Sequence, residues 1–263
     1  MPGAELVGLV PAAGRALRLG RLPCSKEVLP IGVRATAEGL VVRVACDCLL
    51  DALRMAGVAR TVIVLREDKW DVARHLGSGE GRGFPISYLS LADSASLPES
   101  LDRAGPFVRG ERVALGFPDV QLGPADSLAR VAARQEETGS DLVLGLFPAE
   151  RPETTDMVEV DAAGRVVRIE VRPRETALRL CWLLAVWGPA FTEHLHEVVE
   201  SARRRDATEG HAAGELQIGA VVAGALERGL DVRGIEIAGG WFRDIGTPED
   251  LAAVMRQGGE GRG

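Results

Sequence analysis

The sequence is poor in lysine. Of its 31 basic residues only Lys26 and Lys69 are not arginine. Tyrosine occurs once, and the four cysteines (Cys24, Cys46, Cys48, Cys181) are spread through 263 residues. That is no disulfide framework, a device of small secreted domains whose cores are too small to hold them. No apolar run approaches the ~18 residues of a membrane span. The opening Met1-Pro2-Gly3-Ala4-Glu5 has neither a basic nor a long apolar leader region, so the expected location is the cytoplasm. A net charge of −7 excludes a general nucleic-acid binder, which needs a basic face for phosphates. His75, His194, His196 and His211 lack zinc-ligand spacing, and His194 and His196 would point to different helix faces. Neither G-x-G-x-x-G nor G-x-x-x-x-G-K-[ST] occurs, so the usual dinucleotide and P-loop signatures are missing.

What is present reads as an α/β protein. Apolar runs of strand length, Leu6–Val10, Thr61–Leu65, Ile86–Leu89, Val113–Gly116 and Leu142–Phe147, alternate with helical spacings at Val41–Met55, Asp68–Leu76, Glu99–Phe107 and Pro124–Thr138. Such alternation implies a mostly parallel sheet covered on both faces. Cys46 and Cys48 fall inside the first helical run and read as buried small hydrophobes. Met157–Val160 and Val166–Glu170 then read as a hairpin about Asp161–Gly164. Strand Arg179–Trp187, helices Pro189–Ala202 and Gly214–Arg228, strand Val232–Ile237 and helix Pro248–Met255 complete the pattern. With no repeat and no interior linker, residues 1–257 are expected to form one domain, and Gly258–Gly263 a frayed tail.

Three segments carry chemistry. The first strand runs into Pro11-Ala12-Ala13-Gly14-Arg15-Ala16-Leu17-Arg18-Leu19-Gly20, followed by Lys26-Glu-Val-Leu-Pro30. A glycine-containing loop at the carboxyl edge of a parallel sheet can present backbone N–H groups to phosphates. Arg15, Arg18, Arg21 and Lys26 add the positive charge that a triphosphate needs. A lysine retained among so many arginines points to a task for a compact, mobile ammonium; Lys69, in contrast, reads as part of a surface helix. Phe117-Pro118-Asp119 closes a strand, where a carboxylate can hold Mg²⁺ against a nucleotide. Trp241-Phe-Arg-Asp244-Ile-Gly-Thr247 follows another strand and offers a second carboxylate, with Thr247 as N-cap and Pro248 as first residue of the last helix.

Taken together these motifs resemble the sugar-1-phosphate nucleotidyltransferases, the pyrophosphorylases that make nucleotide sugars, such as the glucose-1-phosphate thymidylyl- and uridylyltransferases. The resemblance runs from Leu6 to about Val254. It rests on Pro11–Leu19 with Lys26–Pro30, on Phe117-Pro118-Asp119, on Glu170-Val-Arg-Pro173 and on Trp241–Thr247. Leu76–Gly83 ahead of Ile86-Ser-Tyr88, and Gly214–Ile218, resemble family connectors. The resemblance implies a Rossmann-like, three-layer fold with a mixed, mostly parallel sheet flanked by helices. It implies transfer of a nucleoside monophosphate to a sugar-1-phosphate or related phosphate or phosphonate, with release of pyrophosphate. It further implies that Ala12, Ala13, Gly14, Arg15, Arg18 and Lys26 bind the nucleotide, with Lys26 bridging both substrates. By the same resemblance Asp119 and Asp244 hold Mg²⁺, Arg172 grips the acceptor phosphate, and Asp156, Glu170 and Val171 lie at the acceptor. The chain ends soon after the last motif, so no long C-terminal extension is expected, and self-association is left open.

Departures from the family cluster in the pocket. Ala16-Leu17 stand where Gly-Thr is usual, and Ser90 and Ser96-Leu97 near a usual Gln and Gly-Leu. Asp156 stands about where a glycine backs the sugar, Val171 replaces an acidic residue, and Arg172 replaces a lysine. Two readings follow: an enzyme with an unusual nucleotide or acceptor, or a silent domain acting as a ligand-binding regulatory subunit. The survival of Arg18, Lys26, Asp119 and Asp244 favours activity.

Overall fold

The computed structural model describes residues 4–36, 39–209 and 215–258. Strand β1 (Leu6–Ala12) is almost wholly buried, as an apolar run with helices on both sides must be. The loop after it holds two 3-10 turns, Leu17–Leu19 and Lys26–Val28. Strands β2 (Pro30–Thr36) and β3 (Gly39–Val44) then form an antiparallel hairpin. The helical spacing from Val41 is therefore corrected. Val41, Val42 and Val44 are β-branched and pair with β2, and helix α1 covers only Asp47–Met55. Asp47 ends the strand and starts the helix, its carboxylate accepting from the Val44 amide at 2.9 Å and from Arg82 at 2.5 Å.

Next come β4 (Arg60–Arg66), α2 (Trp70–Leu76), β5 (Ile86–Leu91), α3 (Leu97–Arg103), α4 (Gly105–Val108) and β6 (Arg112–Leu115). The single helix read over Glu99–Phe107 is broken where Gly105-Pro106 enters α4, since proline cannot supply an interior helical N–H. A short strand, β7 (Val120–Gly123), precedes Pro124, and α5 starts only at Ser127 and runs to Thr138. Strand β8 (Leu142–Pro148), the hairpin of β9 (Asp156–Val160) and β10 (Val166–Val171), and β11 (Leu180–Trp187) follow. Helix α6 (Pro189–Glu209) extends beyond Ala202. Helix α7 spans Ile218–Glu227, later than the start read at Gly214: residues 215–217 are not helical and Gln217 is extended, while Gly214 and His211 lie outside the described residues. After β12 (Val232–Glu236) and β13 (Trp241–Asp244), helix α8 (Pro248–Gly258) closes the chain. The Thr247 hydroxyl accepts from the Asp250 amide at 3.2 Å, as a cap should. The tail was expected over Gly258–Gly263, but Gly258 still belongs to α8, and residues 259–263 lie outside the described residues.

The main sheet is mixed and mostly parallel. β1 sits between β4 and β6, with β5 beyond β4, all parallel. β11 runs antiparallel to β6 and to β8, and β12 pairs in parallel with β8. The β9–β10 hairpin joins the first residues of β11. Alternate residues of β1 supply two cores. Val10 and Ala12 pack among α1, α2 and α5, whereas Val7 and Leu9 pack among α3, α4, α6 and α7. All the cysteines but Cys24 are buried, and burial pushes the Cys46 and Cys181 thiols up to about 12. His194 and His196 do part company: the first is buried against the Val221 carbonyl and the second bonds Asp102. Apart from the main sheet, β13 pairs antiparallel with β7, Asp244 lying opposite Val120. This small ribbon brings two distant chain segments to one edge of a cleft.

Candidate active site

The cleft, of 2060 Å³, opens where β1 and β6 end, at the carboxyl edge of the parallel strands. Its floor near β1 is Ala13, Gly14 and Arg15. Lys26 reaches over this loop from its 3-10 turn, so near that a Cβ on Gly14 would lie 4.0 Å from the ammonium. The Lys26 ammonium donates to Asp119 Oδ2 at 2.5 Å, with both side chains 17% exposed. Burial alone would lower its pKa, but the carboxylates of Asp119, Glu27 and Asp244 outweigh burial and raise it. Lys26 is thus held charged at neutral pH.

The β7–β13 ribbon puts Asp244 beside Asp119, and the Ile245 amide donates to the Asp119 carbonyl at 3.1 Å. Burial raises the Asp244 pKa first, and the like charge of Asp119 adds to it, against the pull of Lys26 and Arg18. Arg18 stands 3.9 Å from Asp244. Gly246 makes the approach feasible, because a Cβ there would sit 2.6 Å from the Arg18 guanidinium and 2.7 Å from Asp244 Oδ2. Two adjacent carboxylates with raised mutual repulsion suit a small divalent cation that completes its shell with phosphates and water. Arg15 is turned elsewhere, pairing with the exposed Asp93 at 2.9 Å. Ala12 is buried at the end of β1, its carbonyl facing away toward Lys69.

The other end of the cleft is walled by Asp156, Arg172, Trp182 and Phe117, the last two with ring centroids 6.0 Å apart. Asp156 is 9% exposed. Its carboxylate lies against the first turn of α7, where a Cβ on Gly219 would come within 2.5 Å of Oδ2. Burial raises its pKa, partly offset by Arg172 and by the backbone amides of Arg172 and Gly219. Oδ1 of Asp156 and Nε1 of Trp182 are buried with no hydrogen-bond partner among the described residues. Arg172 is exposed and has φ +43, unusual for a non-glycine residue. Glu170 pairs with Arg168 at 3.2 Å, and neither it nor Val171 is among the residues lining the cleft.

Three curated relatives are similar to this chain in sequence. A glucose-1-phosphate thymidylyltransferase of Actinoplanes sp. is 32% identical over 212 residues, 79% of this chain and 64% of its own length. Another, of Streptomyces antibioticus, is 26% identical over 79% of this chain and 55% of its own length. The low-salt glycan biosynthesis nucleotidyltransferase Agl11 of Haloferax volcanii is 22% identical over 86% of the chain and 58% of its own length. All three are named as nucleotidyltransferases, and the chain is similar to them over about four fifths of its length. It spans somewhat more than half the length of these relatives. No family model matches it. In fold, the chain is similar to a solved structure from Bacillus anthracis, a candidate glucose-1-phosphate thymidylyltransferase with sucrose bound. The TM-score is 0.81, at 19% identity, over 98% of this chain and 97% of that one.

One expectation is corrected. Lys69 is not on a surface. It is 5% exposed, and its ammonium donates to both Glu27 carboxylate oxygens, at 2.8 and 3.0 Å, and to the Ala12 carbonyl at 2.8 Å. Burial raises the Glu27 pKa and lowers that of Lys69, each partly restored by the other's charge. Trp182 was also missed, because it lies in an apolar strand that reads as core. Ala16, in the position where the family usually has glycine, does adopt a left-handed conformation (φ 53, ψ 31). The sequence thus keeps the glycine-type backbone there without the glycine.

Proposed function

We propose that this chain is a nucleotidyltransferase. It moves a nucleoside monophosphate from a nucleoside triphosphate to a sugar-1-phosphate, or a related phosphate or phosphonate, and releases pyrophosphate. The observation that carries this is the convergence of Lys26, Asp119, Asp244 and Arg18 over the Gly14 loop. The acceptor phosphate is already an anion, so attack on the α-phosphorus needs no general base. An acceptor oxygen bonds to that phosphorus, the bond to the bridging oxygen of pyrophosphate breaks, and the electron pair leaves with pyrophosphate. The obstacle is repulsion between two polyanions. Lys26 and Arg18 offset it and align the groups, with the loop at Ala13-Gly14 cradling phosphate. Asp119 and Asp244 would hold Mg²⁺, which when bound neutralises phosphate charge. Arg172 would grip the acceptor phosphate in a forked contact.

The far wall supports a substrate other than glucose-1-phosphate, since Asp156 and Trp182 carry polar atoms without a partner among the described residues. We read residues 1–257 as one catalytic domain with small-molecule partners and no nucleic acid. Copies of the chain are left free to associate. Among the described residues no helix is long and apolar enough to cross a membrane. A cytoplasmic location goes with nucleoside triphosphates as substrates. The silent-domain reading is not favoured, since a domain without turnover has no need for two repelling carboxylates beside a charged lysine.

The test is a pyrophosphate-release screen of five nucleoside triphosphates against a panel of acceptor phosphates, with Asp119→Ala and Asp244→Ala alongside. Each substitution should reduce turnover by at least about a thousandfold, since a lost metal ligand costs several kcal/mol at the transition state, with the melting curve little changed. Undiminished turnover by either variant, or by the wild type in excess chelator, rules the assignment out.

A further inference from the structure

Lys26 is flanked by two residues that are both held from behind by the turn that opens α2. On one side Ser25 donates its amide to Asp71 Oδ2 at 2.6 Å and its hydroxyl to Asp71 Oδ1 at 2.7 Å. On the other side Glu27 receives the Lys69 ammonium, which also reaches the Ala12 carbonyl at the mouth of the phosphate loop. The side chains of Glu27 and Lys69 are 1% and 7% exposed, and neither residue lines the cleft.

A buried ion pair is a poor way to gain stability. Desolvation works against both partners, and an apolar pair of the same volume commonly holds a fold as well. Its distinctive product is geometry. One ammonium with three donors ties the loop's entry at Ala12 to its exit at Glu27, and Asp71 fixes the residue on the far side of Lys26. Arginine, used almost everywhere else in this chain, is a flat fork unsuited to three convergent short contacts.

We propose that Lys69 and Asp71 are positioning residues: together with Glu27 and Ser25 they clamp the backbone on both sides of Lys26 and set where its ammonium meets the triphosphate. The proposal rests on the reading of Lys26 as a phosphate contact. Neither positioning residue touches substrate; both act through Lys26. Displacing a reacting contact by about 1 Å can cost on the order of a hundredfold, so losing either half of the clamp should be felt in binding and turnover.

The experiment measures affinity for inorganic triphosphate with Mg²⁺ by calorimetry, together with melting temperature, in Lys69→Met, Ser25→Ala and Asp71→Asn, each with and without Lys26→Ala. Ser25→Ala removes a single hydroxyl and guards against a Lys69 variant that fails to fold. In the Lys26 background each change should weaken triphosphate binding about ten- to a hundredfold. In the Lys26→Ala background the same changes should weaken it less than about twofold, because positioning has nothing left to position. A purely structural role would give equal losses in both backgrounds, and that result overturns the proposal. So does native affinity in Ser25→Ala and Asp71→Asn. Native affinity in Lys26→Ala alone removes the phosphate reading of Lys26, and the clamp with it.

Discussion

Lys26→Met should separate two roles that the structure gives to one ammonium. Without metal, Lys26 is the cation next to Asp119 and Asp244, 2.5 Å from the former and only 17% exposed. Unit charges ~4 Å apart at an effective dielectric of ~20 attract by about 4 kcal/mol, and desolvation of a partly buried pair takes back roughly half. Methionine keeps the length and apolar stem but leaves the carboxylates uncompensated. The metal-free variant should therefore lose about 2 kcal/mol of stability by urea denaturation. A divalent ion no longer has to compete with the ammonium, so Mg²⁺ affinity by calorimetry should rise by about 10- to 30-fold, the equivalent of 1.4–2 kcal/mol. Pyrophosphate release should meanwhile fall by at least about a hundredfold, as Mg²⁺ cannot replace the contact to the phosphates. Tighter metal binding with lower activity is an unusual pairing. Should Mg²⁺ bind Lys26→Met no better than the wild type, the ammonium is not occupying the carboxylate pair and the electrostatic account is wrong.

Other outcomes can be checked with less effort. Trp182→Phe removes a buried N–H with no partner among the described residues, so stability should hold or gain up to about 1–3 kcal/mol. KM for the preferred acceptor should rise about tenfold, as when one hydrogen bond is lost; an unchanged KM in steady-state kinetics removes Trp182 from the acceptor site. Ala16→Gly relieves a left-handed backbone at φ 53 that costs a non-glycine residue about 1 kcal/mol, partly offset by the entropy of glycine in the unfolded chain. A gain of up to about 0.5 kcal/mol in thermal unfolding is expected from these two opposing effects, and a clear loss would show that the strain is absent. Asp156 has a raised pKa in the folded state, caused first by burial. A raised carboxyl favours the fold below its unfolded value and loses that contribution as pH rises through the folded one. Asp156→Asn should therefore gain on the wild type in urea midpoint as pH increases from about 4 through the weakly acidic range, and a constant difference refutes this.

The parts of the site visible in sequence are those written in one short segment. Asp119 and Asp244 each follow an apolar strand, and Gly14 and Lys26 share one loop, so strand rules and charge suffice to single them out. What brings them together was not legible. β7 and β13 are four residues each, too short for periodicity, and they pair across a separation of 118 to 124 positions. The β2–β3 hairpin was hidden because its apolar residues run straight into α1, and a short apolar run does not declare its period. Lys69 shows the limit most clearly. Its immediate neighbours Asp68 and Trp70 suggest a wet helix start, and its burial is decided by Glu27, 42 positions away. At the far wall, Asp156 and Arg172 line the cleft while Glu170 and Val171 do not, a distinction of strand face that a turn at φ +43 makes hard to read from spacing.

An arginine-rich surface with both lysines drawn into one site has a practical side. Apart from its α-amino group, the chain presents amine-directed reagents with two targets, Lys26 at the edge of the cleft and Lys69 sealed behind it. Acylating agents, lysine cross-linkers and amine-coupling resins, which on most proteins decorate the exterior at random, would here find one lysine at the loop after β1, reactive only when it loses its proton and its hold on Asp119. A single modified peptide in a mass spectrum would then report whether the cleft was filled, and ordinary amine immobilisation would consume the residue whose action it was meant to study.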